Sequence, residues 1–97
     1  MKTYSRYVVK FTQFKNKICA SVLDNYWDSH DYAFFFPGED TCTSYSDVAA
    51  TYVQAVLNRA PQLFSLAAPD TCFQMLTNGV HGKVVGVQPV PMSYFSR

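Results

Sequence analysis

The chain has 97 residues, of which 48% are apolar, 16% aromatic and 15% charged, with a formal net charge of +1. That composition describes one domain with enough apolar material for a core of its own, and it excludes a disordered tail. No apolar run approaches the ~20 residues a membrane helix needs, and Lys10, Lys15 and Lys17 break up the start; we therefore expect no signal peptide, no membrane span and a cytoplasmic protein.

Residues 2–12 alternate, with Tyr7, Val9 and Phe11 on one side and Lys2, Tyr4, Arg6, Val8, Lys10 and Thr12 on the other. This is the period of a strand with an apolar inner face and a basic outer one. Gln13 to Asn16 can turn the chain, and Lys17 to Leu23 reads as the returning strand, Ile18, Ala20 and Val22 sharing a face. Asp24 to Asp31 is rich in turn formers and predicts a loop or wide turn. Asp31 to Phe36 is a third strand whose continuous apolar run predicts cover on both faces. Pro37-Gly38-Glu39-Asp40 ends it.

A helix follows. Ser44-Tyr45-Ser46-Asp47 matches a capping pattern, and Tyr45, Val48, Ala49, Tyr52, Val53, Val56 and Ala60 recur at helical spacing up to Pro61. Thr71 to Leu76 and Lys83 to Gln88 predict a second hairpin around Asn78-Gly79; a short helix from Asp70 is the alternative, disfavoured by the β-branched Val84, Val85 and Val87. Pro89 and Pro91 predict a loose tail from about residue 90. The expectation is a single α+β domain over residues 1–97: a small antiparallel sheet of about five strands, β-β-β-α-β-β, with one main helix packed on one face.

No glycine-rich phosphate loop, zinc-protease helix or nucleophile elbow occurs. Cys19, Cys42 and Cys72 are odd in number and widely spaced, which argues for free thiols rather than disulfides or a zinc site. His30, among Asp28, Ser29 and Asp31, lacks patterned partners beyond the distant Cys42 and His81. We therefore expect no catalytic residues, no metal, no cofactor and no enzyme activity. Tyr7, Phe11, Phe34, Phe36 and Tyr52 fit core positions. Tyr26-Trp27, in an acidic loop, has a weaker core explanation and is the composition of an interface anchor.

Charge is unevenly distributed. Residues 1–17 hold five cations and no acid, residues 18–58 hold six acids and no Lys or Arg, and residues 59–97 hold three cations and one acid. If Asp24, Asp28, Asp31, Glu39, Asp40 and Asp47 share one face, their spacing approximates that of phosphates. Two residues along a strand span about 6.6 Å, and one helical turn about 5.4 Å. Such a face occupies a basic nucleic-acid groove and binds with steep salt sensitivity. If the amino-terminal cations interleave with the acids, the pattern is only a solvated surface.

A short chain with a sheet-and-helix fold, no catalytic motif and a concentrated acidic segment resembles the small phage-encoded anti-CRISPR proteins, in particular type I-F inhibitors of the DNA-mimic type. The resemblance implies a bacterial host cytoplasm and a protein partner with a basic groove, the Cas proteins of a surveillance complex. Target DNA would be blocked, with the six acids as phosphate surrogates, Tyr26 and Trp27 as anchors and no direct binding of nucleic acid. Two other readings stand beside it. One is a nucleic-acid-binding module using Lys2, Tyr4, Arg6 and Lys10 on the outer face of the first strand, with Lys15 and Lys17 at the turn. The other is a homo-oligomeric structural protein using the aromatic surplus.

Overall fold

A computed structural model describes residues 2–36, 43–44, 47–60, 70–79 and 83–95. Four strands lie within residues 2–36: β1 (Thr3–Tyr4), β2 (Tyr7–Phe14), β3 (Lys17–Asp24) and β4 (Ser29–Phe35). They are followed by β5 (Thr43–Ser44), helix α1 (Asp47–Arg59), β6 (Thr71–Asn78), β7 (Val84–Val90) and a 3-10 turn, η1 (Met92–Phe95). All strands join one antiparallel sheet in the order β7, β6, then β1 and β2 together, β3, β4 and β5. The architecture is α+β, with α1 on one face. β1 is the first part of the strand predicted over residues 2–12, separated from β2 at Ser5-Arg6, and the short strand β5 is an addition that alternation alone did not reveal.

The β2–β3 hairpin is closed by the two-residue turn Lys15-Asn16, with Lys15 at φ 56°. A positive φ at the first central residue alone is the type II′ pattern, whose twist suits adjoining strands. The resulting register sets Tyr7 opposite Asp24, Val9 opposite Val22, Phe11 opposite Ala20 and Gln13 opposite Ile18. Ala20 and Ile18 in turn face Ala33 and Phe35 on β4. These rows form the helix face. Tyr52, Val53, Val56, Leu57 and Ala60 of α1 pack there against Tyr7, Phe11, Ile18 and Met75. Phe11 makes edge contacts with Phe35 and Phe73 at centroid distances of 6.3 and 6.0 Å. Burying side chains of this size stabilises by about 1.5–3 kcal/mol each, so this layer carries most of the apolar stabilisation.

Several expectations are corrected. The core run on β4 is displaced by one residue: Ala33 and Phe35 are buried, Phe34 is half-buried and Phe36 is 54% exposed. A one-residue slip exchanges faces, and a continuous aromatic run gives no clue to which parity wins. Only one face of β4 is covered by the helix, and Tyr32 is 48% exposed on the other. Ser44 does not start the helix; it pairs with Ala33 in β5, and the helix opens at Asp47. The stretch after Asp24 is a tight four-residue turn, not a wide loop.

The carboxy-terminal segment also departs from expectation. β7 continues through Pro89 to Val90, which an edge strand permits because a missing amide there removes no ladder bond. Residues 92–95 then form η1, and Phe95 packs on Val8, Leu23 and Cys72, covering part of the face opposite the helix. A ring with an apolar shelf beneath it anchors a segment that two prolines alone suggested was loose.

Candidate functional site

The alternation along residues 2–12 is broken by an inserted residue. Tyr4 pairs with Thr77 and Val8 with Gln74, so four steps on β1–β2 match three on β6. This is a β-bulge at Ser5-Arg6. It places Tyr4 and Tyr7 on the same side of the sheet and turns Arg6 inward. Arg6 is 8% exposed and Val8 2%, so the continuous basic outer face of Lys2, Tyr4, Arg6 and Lys10 does not form.

Arg6 instead meets the end of β3. Its Nε donates to Asp24 Oδ1 at 2.7 Å and its Nη2 to Oδ2 at 2.8 Å, a two-point guanidinium–carboxylate pair. The backbone repeats the connection, with Asn25 N–H donating to the Arg6 carbonyl at 3.0 Å. Asp24 Oδ1 also accepts from the amides of Tyr26 (3.0 Å) and Trp27 (3.4 Å), folding the next residues back over it. The guanidinium lies 5.0 Å from the Tyr7 ring centroid and 4.8 Å from that of Tyr26. One buried cation thus ties the core to the turn through a carboxylate and two aromatic faces.

The electrostatics follow from these contacts. Burial pushes the Asp24 carboxyl up, but the Arg6 hydrogen bonds and the Trp27 and Tyr26 amides outweigh it and hold the group below the usual carboxylate range. The Asp24 hydrogen bond raises the Arg6 guanidinium above its ordinary value against the opposing effect of burial. Tyr7, stacked on Tyr52 at 4.0 Å, is pushed up to about 12 by burial, aided by its hydrogen bond to Tyr52.

Above this clamp stand Tyr26 and Trp27, 66% and 68% exposed, their rings edge to face at 5.2 Å. An apolar depression of about 380 Å³ lies beside them, lined by Tyr4, Ser5, Arg6, Asn25 and Tyr26. Asp28, at φ 53°, completes the turn, and Asp31 is exposed on β4 opposite Val22.

The six sequence-predicted acids are therefore not equivalent. Asp24 is committed to Arg6 and is no surface charge, which overturns its assignment as a phosphate surrogate. Asp28 and Asp31 are exposed near the same end of the sheet as Tyr26 and Trp27. Asp47 begins α1, while Glu39 and Asp40, with Cys42 and His81, lie outside the described residues. Arg6 was missed as a site residue because nothing local marks the bulge. The hairpin register carried the clue: a two-residue turn at Lys15-Asn16 sets Asp24 against Tyr7 and brings the end of β3 beside Arg6.

Among the described residues no three His, Cys, Asp or Glu side chains cluster closely enough to hold a metal ion. Cys19 and Cys72 are free thiols, and His30 packs edge-on against Phe95 at 5.5 Å. No described helix is long and apolar enough to cross a membrane. Comparison with known proteins finds no matching family model, no similar curated protein and no similar solved structure.

Proposed function

We propose that this protein is a non-enzymatic inhibitor that docks its Tyr26-Trp27 turn into a basic groove of a nucleic-acid-handling protein complex. The observation that carries the reading is two large aromatic side chains, each about two-thirds exposed, on a turn clamped from beneath by Arg6 and Asp24. Holding such rings in water has no benefit for folding, and a rigid aromatic pair beside an apolar depression is the composition of a binding hot spot. Pre-organisation by the clamp lowers the entropy lost on docking.

Asp28 and Asp31 flank the anchor and supply the negative potential that steers it towards Lys- and Arg-lined surfaces. On this reading the aromatics provide affinity and the acids provide orientation, a narrower scheme than a face of six phosphate surrogates. A CRISPR surveillance complex, with a groove built for DNA, is the partner we favour, and blockade of target DNA is the consequence. Binding of the purified chain to such a complex, measured by biolayer interferometry across a salt series, tests it. Trp27→Ala is expected to weaken binding by about 2 kcal/mol, roughly thirtyfold, and Asp28→Lys with Asp31→Lys to slow association. Unchanged affinity in Trp27→Ala and Tyr26→Ala would overturn the assignment.

A further inference from the structure

We propose that the face of the sheet opposite α1 binds single-stranded nucleic acid across β2, β3 and β4, with Tyr32 and Phe34 as base-stacking platforms and Lys10 and Lys17 as phosphate contacts. The register builds this surface. Lys10, Ser21 and Tyr32 form one cross-strand row, and Thr12, Cys19 and Phe34 form the next. Rows two residues apart are separated by about 6.6 Å, the stride of an extended nucleotide chain, so the backbone positions of Tyr32 and Phe34 on β4 are spaced as successive nucleotides are.

The surface is accessible and shaped. Tyr32 is 48% exposed, Phe34 is half-buried, and with Thr12, Gln13 and Cys19 they line a shallow depression of about 400 Å³. Lys17 Nζ lies 5.0 Å from the Phe34 ring centroid, and Lys10 Nζ lies 4.6 Å from that of Phe95. Each ammonium is thus held beside an aromatic face. On the same face of the sheet Phe95 of η1 covers Val8, Leu23 and Cys72.

The charge pattern selects the occupant. Asp24 and Asp31 belong to the rows of Tyr7 and Val22, on the helix side of the sheet. The described β2–β4 positions on the opposite face carry lysine and no carboxylate. A single strand offers phosphates and flat base faces at one repeat, matching lysines interleaved with rings. Stacking uses the π face common to all bases, so the expected preference is for unpaired strands rather than for a sequence. This surface lies on different rows from the aromatic turn and stands independently of the proposal made for it.

Fluorescence anisotropy of the full chain against a labelled oligothymidine of about ten nucleotides, repeated over a potassium chloride series, tests the inference. Binding is expected, with a log–log salt slope near −1.4 for two phosphate contacts on a single strand. Lys10→Gln with Lys17→Gln is expected to flatten that slope. Tyr32→Ala, and Phe34→Leu as a second, shape-retaining change, should weaken binding about fivefold or more, with folding monitored by circular dichroism. Trp27→Ala should bind the oligonucleotide as the parent does, which separates this surface from the turn. Absence of binding at low salt, or folded Tyr32 and Phe34 variants that bind like the parent, would overturn it. So would a protein partner lost in Tyr32→Ala while the oligonucleotide fails to bind.

Discussion

Replacing Asp24 by Asn distinguishes a structural carboxylate from a partner-binding one. The substitution keeps an oxygen that can accept from Arg6 Nε and from the Tyr26 and Trp27 amides, but it presents an NH2 group where Oδ2 received Arg6 Nη2. Hydrogen bonds to charged groups contribute about 1.5–3 kcal/mol, and removing one partner of a buried ion pair costs about 3–5 kcal/mol. The side chains of Arg6 and Asp24 are only 6% and 13% exposed, so little solvent screening intervenes. With one acceptor retained, the expected loss is near the lower bound, about 3 kcal/mol.

For a urea m value of about 1.5 kcal/mol/M, that loss lowers the midpoint by about 2 M. Asp31→Asn, on the surface, should shift stability by no more than about 0.5 kcal/mol. The pH dependence adds a second arm. A carboxyl held below its ordinary value contributes stability that is complete above about pH 4 and lost as pH falls through the lower folded value. The gap between parent and Asp24→Asn should therefore close on acidification. A midpoint shift below about 0.3 M at neutral pH, together with weakened partner binding, would refute the clamp and restore Asp24 as a surface charge.

Three further outcomes follow from packing and burial. Tyr7, shifted to about 12 from its ordinary 10.0, ionises in the unfolded chain first, so stability should fall between those values by about 2 kcal/mol; alkaline denaturation followed by tyrosinate absorbance, compared between the parent and Tyr7→Phe, checks this. Burial pushes the Cys72 thiol up and Phe95 covers it, so thiol labelling of Cys72 should be slow in the parent and markedly faster in Phe95→Ala, at little change in fold. Leu57, fully buried on the sheet-facing side of α1, should cost about 2–5 kcal/mol as Leu57→Ala in urea denaturation.

The parts of this fold legible in the sequence are those where one physical preference acts alone. Alternation marks β2 and β3, the Asn78-Gly79 turn and β-branched valines mark β6 and β7, and the 3.6-residue stripe marks Tyr52, Val53 and Val56 on the buried side of α1. Leu57, one residue beyond that stripe, is as buried as Val53 and Val56. Failures arose where two preferences compete. The Phe34-Phe35-Phe36 run is apolar in both parities, so only packing against α1 selects Phe35. Ser44 suits a cap and an edge strand equally, and pairing with Ala33 decides. At the site, Tyr26 and Trp27 were recognisable because a polar turn offers them no core. The Arg6–Asp24 pair was hidden because a bulge without glycine leaves no compositional trace.

The margins of the sheet bear on how the molecule behaves when crowded. One border strand is β5, two residues long, and the other is β7, where Pro89 presents no amide to a newcomer. Among the described residues, a two-residue border strand and a proline on the opposite one are features that hinder lateral addition of another copy. Such devices matter most for a chain that keeps Tyr26, Trp27, Tyr32 and Phe36 in contact with water, because edge-to-edge growth is the route by which exposed rings turn into fibres.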